Sequence, residues 1–187
     1  MITAEQITLE KLKFASAKKG YIWFPDKVNL IGIRTNNNNP DTWNDFIAIE
    51  FKGKFYVFQG TTRPGVYWLQ HPMRESGTFV MIPGQHIDCW KKGLHNGYPA
   101  LVQCKTVPGW RDADKDNIVD PGAKVYTDGQ GVDIHHAHET VVQNVIDKYS
   151  AGCQVLRKYF DWQVFFETYS ESTQEFFSYT LLMENDL

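Results

Sequence analysis

Short apolar runs closed by proline and glycine recur from residue 28 onward, and that rhythm points to a β-rich fold. Residues 28–34, 46–51, 55–59, 78–82, 98–104, 124–127 and 132–136 are each long enough for one strand and too short for a stable helix. Pro72, Pro83-Gly84, Pro108-Gly109 and Pro121-Gly122 mark turns between them, and the segment around Lys52-Gly53 reads as a tight hairpin. The four-Asn run closed by Pro40 reads as a loop, and residues 176–183 predict a last strand. Three segments have helical character. Residues 3–19 predict an amphipathic helix, with Thr3 and Gln6 at capping-box spacing and Gly20 at the stop. Residues 159–169 predict a second helix, apolar on one side, and 139–149 are a further candidate. No internal repeat or linker divides the chain. The expectation is an N-terminal helix over residues 1–20 and one mostly β domain with a few helices (α+β) over residues 21–187.

A chain of 187 residues with 42% hydrophobic and 22% charged side chains can bury a core of its own. Aromatics reach 14%, which suits an aromatic-rich β core or a groove lined with Trp and Tyr. The net charge of −3 does not suggest a phosphate-gripping face, so no nucleic acid is expected as a partner. No run of about 18 apolar residues occurs, so no membrane insertion is expected. Residues 2–14 are interrupted by Glu5, Gln6, Glu10, Lys11 and Lys13 and hold no apolar signal-peptide region. The chain is therefore expected to be cytoplasmic as synthesised. Cys89, Cys104 and Cys153 are odd in number, widely spaced and outside any C-x-x-C, so at least one thiol should be free.

The densest chemistry lies between Gly131 and Val155. It begins Gly131-Val132-Asp133-Ile134-His135-His136 and ends Ser150-Ala151-Gly152-Cys153-Gln154-Val155. A thiol becomes a useful nucleophile beside a base that favours its thiolate, and His135 is the candidate base for Cys153. Gly152 lets a turn expose the sulfur and leaves backbone N–H groups for an oxyanion; Ser150 is placed to orient the imidazole. Without more, Cys153 also fits a small buried hydrophobe and His135 a strand residue.

Ile134-His135 followed by Ser150-Ala151-Gly152-Cys153 resembles the signature of the L,D-transpeptidase (YkuD-type) catalytic domain, a strand histidine followed by a loop ending Ser-His-Gly-Cys. The resemblance makes His135 the base, Cys153 the nucleophile, and Ser150 and Gly152 the serine and glycine of the motif. Ala151 stands where the family usually has a second histidine. Val155 stands where it has Arg or Asn, with Arg157 nearby but out of register. A phage and bacterial subgroup with an Ile-His…Ser-Ala-Gly-Cys-Gln-Val pattern is similar over roughly residues 28–183, including Pro64 to Leu69, Leu94 to Tyr98 and Arg111-Asp112.

What the resemblance implies is a cysteine enzyme of peptidoglycan stem peptides, working through a Cys153 thioester without a cofactor. Because no export signal is expected, cell-wall cleavage after lysis, injection or export by another system ranks ahead of crosslinking. A domain that kept the fold as a cell-wall binding or structural module and lost the reaction is the rival. Arg63, Trp68, His71, His86, His95 and Arg111 sit near turn signals; Arg111, Trp68 and His95 are the chosen substrate-binding candidates, Arg111 for a carboxylate.

Two other patterns suggest metals. His136-Ala137-His138 would share a strand face opposite His135 and would suit a metal-dependent hydrolase, with Asp133 or Glu139 adding a carboxylate. The run from Asp112 to Asp120 places carboxylates at alternate positions like the start of a calcium loop, although Asn117 takes the usual glycine's place. A solvated acidic turn is the plainer account of that run.

Overall fold

The computed structural model describes residues 2–117 and 124–187, so the Pro121-Gly122 turn and Asp120 lie outside the described residues. Eight strands close a barrel in the order β1 (Asn29–Arg34), β11 (Phe176–Met183), β5 (Gly84–His95), β6 (Tyr98–Gln103), β9 (Ile134–His138), β10 (Gln154–Lys158), β3 (Lys54–Thr61) and β2 (Asp45–Phe51). A smaller sheet, β4 (Thr78–Met81), β7 (Val107–Asp112) and β8 (Tyr126–Gly129), lies beside it. Helices α1 (Leu9–Lys18), α2 (Val66–Gln70) and α3 (Tyr159–Ser170) complete a mostly β, α+β fold. Among the described residues, no helix is long and apolar enough to cross a membrane.

The barrel interior collects Leu30, Ile47, Ile49, Trp90, Leu101, Ile134, Leu156, Phe177, Tyr179 and Leu181, and α3 adds Trp162, Phe165 and Tyr169 to the same cluster. Much of the aromatic content is thus core. Strand β1 is buried on both faces, because Ile31 and Ile33 face away from that interior and lie under Leu12 and Ala15 of α1. Double burial explains why its sequence runs apolar with little alternation.

Several expected elements hold with small shifts at their ends. The hairpin at Lys52-Gly53 joins Phe51 to its partner Lys54, and both turn residues have positive φ, as a type I′ turn requires. Residues 3–19 divide instead of forming one helix. Thr3 N–H donates to Gln6 Oε1 over a single 3-10 turn, Ala4–Gln6. The chain then extends to bury Ile7, and Thr8 caps α1 by accepting from the Lys11 N–H. Residues 139–149 form an irregular loop, not a helix: Val141, Val142 and Val145 are exposed and β-branched, and His138 Nδ1 accepts the N–H groups of Thr140 and Val141 at the loop's start. Pro108-Gly109 lies inside β7, where a register shift toward β8 accommodates the proline.

The strand pair β9–β10 is parallel and thinly tied to its neighbours. One residue pair, Leu101 with Ile134, joins it to β6, and two pairs join β10 to β3. The sequence-predicted histidine and cysteine sit on this strip.

Candidate active site

Register decides which side chains meet. Val155 pairs with His135 and Gln154 with Ile134, so Ile134 and Leu156 enter the barrel core while His135 and Val155 share the opposite face. Cys153, two residues before Val155, lies on that same face, in an apolar cluster with Trp43, Ala137, Ile146 and Val155. The barrel thus presents a thiol and an imidazole on one face of adjacent strands. No hydrogen bond joins them: Cys153 Sγ donates to the Gly131 carbonyl at 3.2 Å.

Each group is held neutral. Burial pushes the Cys153 thiol up to about 12, with the Asp133 charge adding to it, while the backbone N–H groups of Asp133 and of Cys153 itself favour the thiolate. Burial also lowers His135 to about 3, helped by its neighbour His95. His135 Nδ1 lies 2.7 Å from the His136 carbonyl, which can only accept, so Nδ1 carries the proton. Tyr98 Oη is 3.1 Å from the same nitrogen. The lone pair therefore sits on Nε2, and that atom is buried without a hydrogen-bond partner. A buried base with its acceptor position free is the most chemically loaded feature of the face.

His95 stands beside it. Its ring stacks on His135 with centroids 4.0 Å apart, and its Nδ1 meets Asp133 Oδ2 at 2.8 Å. Burial alone would raise the Asp133 carboxyl, but the hydrogen bonds from His95 and the Gln103 N–H bring it below the usual range. The β5–β6 hairpin places His95 and Tyr98 opposite each other across Asn96-Gly97, both at positive φ. An Asn-Gly pair is a strong hairpin signal and was the means to find Tyr98, which sequence reasoning did not single out as a site residue.

Ser150 does not orient the imidazole. Its Oγ donates to the Cys153 carbonyl at 2.8 Å and accepts from the Gly152 N–H at 3.2 Å, fastening the turn. Gly152 has φ +128°, and a Cβ there would lie 2.8 Å from the Phe79 carbonyl oxygen, so the turn needs glycine on both counts. Because Ser150 takes the Gly152 N–H, that donor is not free for an oxyanion.

Arg111 and Trp68 do line one cleft of about 90 Å³, together with Arg74, Thr78, Phe79 and Ala151. Arg111 is sandwiched between the Phe79 and Tyr126 rings and bonds the Gly77 carbonyl and Asp128, while its buried Nε has no partner. Arg74 reaches the same Asp128 at 2.6 Å from the exposed rim. The cleft abuts the Cys153 turn through Ala151 and through Gln130, next to the carbonyl that holds the thiol.

The remaining candidates are engaged elsewhere. Arg63 bonds the carbonyls of Thr35 and Asn37, His71 stacks on Tyr67, and His86 contacts the Ile82 carbonyl. Arg157 ties the Gln143 carbonyl to Gln59. His136 packs among Tyr98, Tyr159 and Trp162, and His138 caps its loop. Among the described residues, the one group of three or more His, Cys, Asp or Glu side chains within ligand reach is Asp112, Asp114 and Asp116, so His136 and His138 gather no third ligand of these types.

The chain matches no protein-family model, no curated protein and no solved structure. The reading of this face rests on its own geometry and on the motif.

Neutral burial has a consequence for stability. Burial keeps His86, His135 and His136 from charging, whereas unfolded histidines protonate near pH 6.5. Depressed pKa values of this kind stabilise fully above about pH 6.5, and the contribution is lost as pH falls toward the folded values. His135 alone accounts for about 1.4 kcal/mol per pH unit between pH 6.5 and about 3. The Cys153 thiol works in the other sense: an unfolded thiol ionises near pH 9 and the folded one near 12, so stability is lost above about pH 9. Urea midpoints at pH 5, 7.5 and 10 should show a maximum at 7.5, and Cys153→Ala should flatten part of the alkaline arm. A midpoint higher at pH 5 than at 7.5 would mean that His135 is charged in the fold.

Proposed function

We propose that this protein is a cysteine-dependent enzyme of peptidoglycan stem peptides, resembling the L,D-transpeptidase catalytic domain and acting mainly by cleavage. The unpartnered, buried Nε2 of His135 on the face that carries Cys153 is the observation that supports this reading most. On substrate binding, the Cys153 proton passes to His135 Nε2 and the sulfur attacks the peptide carbonyl. The Cys153 N–H supports the oxyanion, the C–N bond breaks, and the leaving amine takes the proton back from His135. Water, with the same imidazole as base, then hydrolyses the thioester. The cleft of Arg111 and Arg74 suits a terminal carboxylate of the substrate, which would compete with Asp128 for these guanidinium groups.

Crosslinking differs only in an amine replacing water. Incubation with purified muropeptides, followed by mass analysis, separates the outcomes. Cleavage yields monomers that have lost D-alanine and end in the carboxyl of the preceding residue; crosslinking yields dimers. One observation favours a second reading, a binding module without catalysis: Cys153 is only 6% exposed and is not hydrogen-bonded to His135. In that case muropeptides return unchanged in mass.

A further inference from the structure

Beyond the thiol face, the segment leaving β7 brings Asp112, Asp114 and Asp116 together, with one carboxylate oxygen from each within 4.8 Å of the others. Oxygens gathered this closely can share one calcium ion, whose ligands sit at roughly 2.4 Å, after small side-chain adjustments. Acidic groups also gather at surfaces without any ion, and proximity alone would prove little.

Two further atoms point to a ligand. Asp112 is 2% exposed, and its Oδ1 is buried with no hydrogen-bond partner. Its other oxygen accepts a long bond, 3.3 Å, from the Asn117 N–H, and burial, with the neighbouring Asp114 and Asp116 carboxylates, raises the Asp112 pKa. Asn117 Oδ1, five residues along the same loop, is likewise shut from solvent and unpartnered. Buried oxygens are normally satisfied, and two orphans on one acidic loop call for a cation.

We propose that Asp112, Asp114 and Asp116, with Asn117 Oδ1, form a calcium site. The donor set is all oxygen, which suits a hard cation over zinc. Side-chain oxygens from one irregular loop suit calcium's flexible coordination, whereas magnesium demands near-octahedral geometry at roughly 2.1 Å and keeps several waters. Asp112 ends β7 opposite Thr78 of β4, so the ion would brace the small sheet whose Phe79 carbonyl abuts Gly152. This inference stands apart from the thiol chemistry and survives if that chemistry is absent.

Terbium is the probe of choice, because Trp110 lies two residues before Asp112 and can sensitise it. The full chain, first stripped with EDTA, should give saturable terbium emission on excitation at Trp110, displaced by calcium at lower concentration than by magnesium. Its melting temperature should rise by several degrees in millimolar calcium. Asp114→Asn with Asp116→Asn should abolish both effects while leaving the EDTA-stripped melting temperature close to the parent's, since both side chains are exposed. Emission that persists in the double variant, or a melting temperature indifferent to calcium in the parent chain, overturns the proposal.

Discussion

Replacing Cys153 by alanine is expected to reduce stem-peptide turnover to background while the barrel stays folded. The sulfur makes one hydrogen bond, to Gly131, and the change removes a single buried atom, so the structural cost is of order 1 kcal/mol. The chemical cost is total, because no other atom on the face can form the acyl intermediate. Cys89 and Cys104 provide the controls. Their sulfurs contact the carbonyls of Ile87 and Asp88, and neither has an imidazole beside it. Alanine at either position should leave turnover per folded molecule unchanged. Product formation would be followed by mass analysis, with circular dichroism checking the fold of each variant. Full activity in Cys153→Ala would end the thioester mechanism, whatever else the barrel does.

His135→Ala should lower kcat/KM by at least about 10²-fold, the usual range for a positioned base. The neighbouring histidines make this a test of position. His136 packs against aromatic rings and His138 holds a loop, so alanine there should cost stability and little rate once values are corrected for the folded fraction. A metal mechanism predicts the reverse, with losses at His136 and His138 and sensitivity to chelators. The pH profile adds a second readout. With His135 neutral down to about 3 and the thiol protonated up to about 12, neither group titrates near neutrality. The rate should then be flat from pH 5 to 8. A limb near pH 6.5 that vanishes in His135→Ala would instead indicate a thiolate–imidazolium pair.

How much of this was legible in the sequence varies by element. Strands rich in apolar residues, such as β1 and β11, were readable because burial leaves few polar positions in them. Strand β5 was not: it mixes Lys, Asp, Gly and His, and Asp88 at positive φ breaks the alternation that a period-two reading needs. The loop over 139–149 passed for a helix because valines spaced along it mimic an apolar stripe, yet those valines are exposed.

For the candidate site, the motif named Cys153 and His135, which the fold places on one face, and the glycine between turn and strand. It misassigned Ser150, since sequence shows that a hydroxyl is near but not whether it faces the imidazole or the backbone. Tyr98 joined the candidate site through the hairpin that Asn96-Gly97 signals, whereas no local pattern encodes the place of Asp133 beside His95. Arg111 and Trp68 do share a cleft, though the arginine's held position, between two rings and bonded to Asp128, came from the tertiary contacts.

The thin lateral pairing of β9 and β10 has a kinetic consequence. Two strands tied to the barrel by one residue pair on one side and two on the other are expected to open at a free energy below the global one. Cys153 is buried at their junction, so any reagent or substrate carbonyl must wait for that opening. Its observed rate is then the intrinsic rate multiplied by a small opening equilibrium constant. Amide exchange at Val155 and alkylation at Cys153 should therefore rise in parallel as mild denaturant is added, well before the core strands β1 and β11 begin to exchange.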